Sequence, residues 1–236
     1  MKLISSMATR VVLGDLLAAA AADGLPAVDL ESVGGVDAAA RVAAGEEFDL
    51  VLLSAAALDK LAADGHVDAA SVTPLVLSQV AAAVPADGSG GAAAPAAGAV
   101  AFPDADGLRA ALGAATGIGY STGPSGTALV RMIEEWGMTD EVGDRLVQAR
   151  PGIPVARLLA EGEVDFGLQQ LSELVGQPGV RILGVLPDDC AIDTVFSGAV
   201  ATASTDPVAA RAVLEFLTSD RARAITADHH FAAPPA

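Results

Sequence analysis

Residues 117–137, GIGYSTGPSGTALVRMIEEWG, set hydroxyls and glycines between an apolar, strand-like GIGY and an amphipathic helix. Two chemistries suit that junction. Ser125 or Thr127 can cap the helix, accepting its first free N–H groups. Alternatively, those N–H groups point outward, and with Ser125, Gly126 and Thr127 they cradle an anion. The spacing allows both.

Similar donors recur wherever an apolar run ends. Ser5 and Ser6 end the first run, Ser32, Gly34 and Gly35 the second, and Ser54 the third; further on come Gly152 in RPGIP and the amides Gln169 and Gln170. A site of hydroxyls, amides and bare N–H groups suits an oxyanion or carboxylate, since a hydrogen bond to a charged partner contributes about 1.5–3 kcal/mol. Taken singly, each serine also reads as a helix cap and each glycine as a turn residue. Gln169 and Gln170 are less easily assigned to the scaffold, because an amide at a strand end needs partners. Among these loops only Tyr120 and Arg150 titrate; Arg150 is either a bidentate carboxylate clamp or a solvated loop residue.

Composition excludes several other functions. Thirty acidic residues face 13 basic ones, a net charge of −17, and the basic residues are scattered. Nucleic acid and anionic lipid both require a concentrated basic face, so neither is an expected partner. A small anion is compatible, because contact donors act well inside the screening length of about 8–10 Å. Cys190 is the single cysteine, and His66, His229 and His230 are the only histidines, the last two in a tail that reads as frayed. No disulfide, metal site or cofactor is expected. The apolar run LLAAAAA at 16–22 ends at Asp23 and is too short to cross a bilayer. MKLISSMATR enters a strand directly, without the apolar core of about 7–15 residues of a secretory signal. The expectation is a cytoplasmic protein as written, or a periplasmic or extracellular one if Met1 replaces a removed signal.

The elements that must position these loops alternate. Strand-like KLIS, AVDLES and FDLVLLS are separated by helical stretches near 8–22, 36–45 and 56–64. A second series runs through helices near 105–115, from 125 and near 153–161, with GIGY, LVQA and VDFGLQ between them. Such βα alternation predicts an α/β fold with parallel strands covered on both faces. ARVAAGEEFDLVLL (40–53) and ARLLAEGEVDFGLQ (156–169) share residues at a constant offset, including Arg41 with Arg157 and Asp49 with Asp165, so the lobes repeat one helix–turn–strand unit. Ligands of open α/β sheets lie beyond the strand carboxyl ends, so two facing lobes would enclose a cleft. The expected lobes are 1–80 plus 193–236, and 81–192, with the Gly/Ala/Pro-rich stretch 86–98 as a mobile loop.

In order along the chain, ISSMATR, FDLVLLSAAALDKLAADGHV, IGYSTGPSGTALVRMIEEWGM and RPGIPVARLLAEGEVDFGLQQLSEL resemble the type II substrate-binding proteins of ABC transporters, in the branch related to molybdate-binding proteins. The resemblance implies two α/β lobes joined by crossing strands near 76–84 and 188–196, closing over a small anion, with a transporter permease as partner. It also implies that Ser5 or Ser6, Ser125 and Ile153 supply neutral donors. Two positions depart: the second loop reads Val33-Gly34-Gly35-Val36 without a serine, and Gln170 stands where a ligand-contacting tyrosine is usual. These losses open the ligand to organic di- and tricarboxylates. The sequence also resembles aconitate isomerases of the same fold; if the chain is such an enzyme, the candidates are the two titratable residues of the cleft loops, Tyr120 and Arg150.

Overall fold

A computed structural model describes residues 1–88, 102–150 and 152–235. They divide into two compact units, Met1–Ser78 with Thr194–Ala236, and Gln79–Asp193. Within the expected loop at 86–98, positions 89–98 lie outside the described residues.

In chain order the elements are β1 (Lys2–Ser6), α1 (Arg10–Ala22), β2 (Asp29–Val33), α2 (Gly35–Ala43), β3 (Leu50–Ser54), α3 (Ala55–Ala63) and β4 (Thr73–Pro85). Then follow α4 (Ala105–Ala114), β5 (Ile118–Tyr120), α5 (Pro124–Glu135), α6 (Thr139–Val142), β6 (Leu146–Gln148), α7 (Val155–Ala160) and β7 (Phe166–Gln170). The chain ends with α8 (Leu171–Leu174), β8 (Val180–Val185), β9 (Asp193–Val200), α9 (Pro207–Leu217) and α10 (Asp220–Asp228).

In the first unit β1 lies between β2 and β3, parallel to both, and β9 runs antiparallel on the far side of β3. The period-2 alternation of strand side chains divides the core. Leu3, Leu50 and Leu52 pack under α1, α9 and α10, whereas Ile4, Val51 and Leu53 face α2 and α3. Both faces are therefore apolar, which is why LVLLS carries no polar alternation. The second unit repeats the plan. β5 lies between β6 and β7, parallel to both, and β4 pairs antiparallel with β7 and β8. Ile118, Phe166 and Leu168 pack with Leu108, Leu129 and Ile133 of α4 and α5, and Val155, Leu158 and Leu159 of α7 cover the other face with Ala81 and Ala83.

The offset repeat has a structural cause. Asp49, just before β3, accepts the Lys2 N–H that opens β1 (2.9 Å) and the Ser204 hydroxyl (2.7 Å). Asp165, just before β7, accepts the N–H groups of Thr116 and Gly117 at the opening of β5 (each 2.9 Å) and the Thr116 hydroxyl (2.7 Å). Each carboxylate ties the starts of two neighbouring parallel strands together. Burial alone would raise the pKa of both, but the converging donors outweigh it and hold both carboxyls below the usual range.

One expectation is corrected at this level, and three elements were not anticipated. The tail is not frayed at its start: Phe231 is buried in the core of the first unit, Ala232 pairs with Leu77, and His229 meets Asp15 at 2.8 Å. The alternation pattern did not anticipate β8 or the one-turn helices α6 and α8. α6 and α8, of four residues each, are too short for a helical period to be recognised.

Candidate functional site

The parallel register aligns the strand carboxyl ends. In the first unit Ser5 stands opposite Ser32 on β2 and Leu52 on β3, so the three strands end side by side. Ser5 is fully buried and committed to the scaffold, its hydroxyl 2.7 Å from that of Ser32. Ser6 accepts the Ala8 N–H at 3.3 Å, capping a short turn over residues 7–9, and its hydroxyl hydrogen has no partner among the described residues. Gly34 is the N-cap of α2 and offers no side chain to it; Gly35 follows with its Cα facing the Ser6 hydroxyl, 4.0 Å from where a Cβ would stand. Ser54 is the N-cap of α3, yet its hydroxyl does not cap. The first N–H groups of two nine-residue helices are thus left without side-chain caps beside the Ser6 and Ser54 hydroxyls. Asp37, in the first turn of α2, is the opposing charge there.

In the second unit the α5 junction excludes the capping reading. The N-cap is Gly123, with Pro124 first in the helix, so Ser125 and Thr127 lie inside it. The Gly123 carbonyl accepts the N–H groups of Gly126 (3.1 Å) and Thr127 (3.2 Å), which removes both from any cradle. Of that first turn the Ser125 N–H is left, together with the paired hydroxyls of Ser121 and Ser125, 3.1 Å apart. Gly126 is a packing residue: a Cβ there would lie 1.8 Å from the Ser121 carbonyl oxygen.

The remaining candidates also divide. Ile153 donates its N–H to the Arg150 carbonyl (2.9 Å) across a turn in which Gly152 takes φ 79°, so Gly152 shapes the loop and the Ile153 N–H is occupied. Tyr120 packs its ring against the core and hands its carbonyl to Ala149 N–H at 2.8 Å. Gln169 has a structural task, accepting the Val155 N–H (2.8 Å) that opens α7 while its Nε2 donates to Glu173. Gln170 is buried, and its Oε1 has no partner among the described residues. Ser172 carries a second such orphan, its hydroxyl. A buried polar atom left unpaired costs about 1–3 kcal/mol.

Two charged residues were missed by the sequence reading. Arg10, first residue of α1 and close after Ser6, is exposed and, like Arg150, makes no hydrogen bond or ion pair among the described residues. The other arginines are engaged, from Arg41 with Glu31 and Glu46 to Arg223 with Asp220. The signal available was a lone cation directly after ISSMAT in an acidic chain. Glu173 is the other omission: burial pushes its carboxyl above the usual range, against the opposing hydrogen bond from Gln169. Cys190 is no nucleophile, because burial and then Asp189 push its thiol up to about 11. Among the described residues no three His, Cys, Asp or Glu side chains converge on a metal position, and no helix is long and apolar enough to cross a membrane.

The comparisons with known proteins agree on the fold. The substrate-binding domain of a putative molybdenum ABC transporter from Clostridium difficile superposes with a TM-score of 0.78 at 14% identity, covering 100% of this chain and 99% of that one. The periplasmic molybdate-binding protein of Azotobacter vinelandii gives 0.77 at 18% identity, with both chains covered in full (100%). In sequence, an aconitate isomerase from a Pseudomonas species is 37% identical over 186 residues, 78% of this chain and 68% of that protein. The architecture is therefore the type II periplasmic-binding-protein-like α/β fold. Residues 1–232 match the family described as bacterial extracellular solute-binding proteins, and the chain belongs to that family.

Proposed function

We propose that the protein binds a small organic anion carrying carboxylates, recognised in each unit by donors at the strand carboxyl ends and by an arginine, Arg10 in the first unit and Arg150 in the second, that has no partner among the described residues. The observation that carries this reading is the placement of Arg10 and Arg150. In a chain of net charge −17 most cations find a carboxylate, yet these two have no partner among the described residues, each beyond the carboxyl end of a parallel strand of its own unit. Arg10 also sits at the first turn of a helix, where the dipole disfavours a cation unless an anion is near. A planar guanidinium matches a carboxylate bidentately; the strand ends of the first unit also offer the Ser6 and Ser54 hydroxyls, and those of the second the Ser121 and Ser125 hydroxyls. Under this reading the partner is a transporter permease, and the protein works outside the cytoplasmic membrane.

A second reading, isomerisation of an unsaturated tricarboxylate such as aconitate, is favoured by the 37% identical relative. It needs the same carboxylate recognition plus a group that moves a proton.

Titration calorimetry with citrate, cis-aconitate and trans-aconitate tests the recognition. Arg10→Ala and Arg150→Ala are each expected to weaken the tightest of these by roughly ten- to a hundredfold, the loss of a charged hydrogen bond of about 1.5–3 kcal/mol. Arg131→Ala, which removes only an exposed pair with Glu135, is expected to change nothing. Ser125→Ala is expected to weaken binding while moving stability by less than about 1 kcal/mol, since Ser125 caps no helix. Unchanged affinity in both arginine variants would refute the reading.

A further inference from the structure

Gln170 is the last residue of β7, only 4% exposed, and its Oε1 has no hydrogen-bond partner among the described residues. Folded proteins satisfy nearly all buried polar atoms, because each orphan costs stability. An amide left in this state at a strand end has no explanation in the fold itself.

Strand pairing fixes where this amide lies. β7 runs parallel to β5 with Leu168 opposite Tyr120, so Gln170 comes one pair further on, level with the loop 121–123 that leads into α5. Side chains alternate between the two faces of a strand. Phe166 and Leu168 pack with Leu129 and Ile133 of α5, and Gln170 follows them on that face, paired with Val80 of β4, a member of the same apolar cluster. Gln169 takes the opposite face, where it accepts the Val155 N–H. The first turn of α5 stands over the Gln170 side of the sheet: a Cβ on Gly126 would lie 3.1 Å from the Tyr120 ring, and α5 packs on β7. The Gln170 amide is therefore gathered at one strand end with the paired hydroxyls of Ser121 and Ser125 and with the Ser125 N–H, which has no partner among the described residues.

The groups so gathered ask for two different things. N–H and O–H groups at the start of a helix take a carboxylate, whereas an amide oxygen takes only a donor. An anion that carries ionised carboxylates alone has no donor to give, and would leave Oε1 as it is. A hydroxyl on the carbon that bears the carboxylate supplies the missing proton beside the helix start. The terminal torsion of a glutamine is broad, so Oε1 can turn to meet it.

We propose that Gln170 selects the ligand, its Oε1 accepting the hydroxyl of a 2-hydroxycarboxylate whose carboxylate is held by the Ser125 N–H and the Ser121 and Ser125 hydroxyls. This rests on the carboxylate-binding reading above and specifies the class of carboxylate.

Calorimetric titration of the full chain compares citrate with propane-1,2,3-tricarboxylate, the same skeleton with hydrogen in place of the hydroxyl. The wild type is expected to bind citrate about tenfold more tightly or better, since the analogue leaves a buried acceptor unpaired. Gln170→Met keeps an unbranched chain and removes the amide. It is expected to bring the two affinities within about threefold of each other by weakening citrate, and to raise the melting temperature because the orphan is gone. Ser125→Ala is expected to weaken both ligands alike and to leave their ratio unchanged, since Ser125 bonds the carboxylate they share. The proposal is overturned, with carboxylate binding left standing, if the wild type binds the two ligands equally or if Gln170→Met retains the preference for citrate. Absence of binding by either tricarboxylate overturns the proposal together with the reading on which it rests.

Discussion

Replacing Gly126 with alanine is expected to destabilise the protein by about 3 kcal/mol or more, the range of severe overpacking. The added Cβ would lie 1.8 Å from the Ser121 carbonyl oxygen and 2.8 Å from its carbonyl carbon, both backbone atoms that cannot rotate away. Relief requires α5 to withdraw from the end of β5, separating Ser125 from Ser121. Gly14 is the control. It also lies within a helix, α1, but nothing stands within 4 Å of its Cβ position, so Gly14→Ala is expected to stabilise by about 0.5–1 kcal/mol. Urea unfolding of the two variants checks the contrast, and equal effects would show that the α5 contact is not tight.

Asp165→Ala is expected to cost about 3 kcal/mol, because the N–H groups of Thr116 and Gly117 lose a charged acceptor together. The same group predicts a pH dependence. Its folded pKa is depressed, as is that of Asp49. Stability from such a group is fully present above the unfolded value of about 3.9 and is lost as pH falls through the lower folded value. Wild-type stability should therefore drop steeply below about pH 4, and Asp165→Ala should have a shallower slope there. Chemical denaturation at several acidic pH values measures both; parallel slopes would mean that Asp165 is not held ionised by its donors.

The pattern of apolar runs exposed the alternating strands and helices because LVLLS, FGLQQ and the helices between them bury continuous faces. The Asp49 and Asp165 echo was visible as an offset repeat, but its meaning was not: it is a tie between strand starts, which only pairing shows. The site was less legible. A serine two residues after a glycine reads as a cap, yet Gly123 takes the cap position and Ser125 enters the helix. Gln169 and Gln170 look alike in sequence, but strand alternation sends them to opposite faces, one to the N–H of Val155 and the other to no partner. Arg10 and Glu173 are defined by absences, a missing carboxylate and a missing cation, and such absences exist only in three dimensions.

Calorimetric titration of the wild-type protein with tricarboxylates, sulfate and molybdate tests the central claim most directly. Guanidiniums without a partner among the described residues predict saturable binding of at least one tricarboxylate, weakened by added salt, and affinity for sulfate and molybdate at least tenfold lower. Tight binding of molybdate with no heat from any tricarboxylate would contradict it, and would leave Arg10 and Arg150 as solvated surface residues.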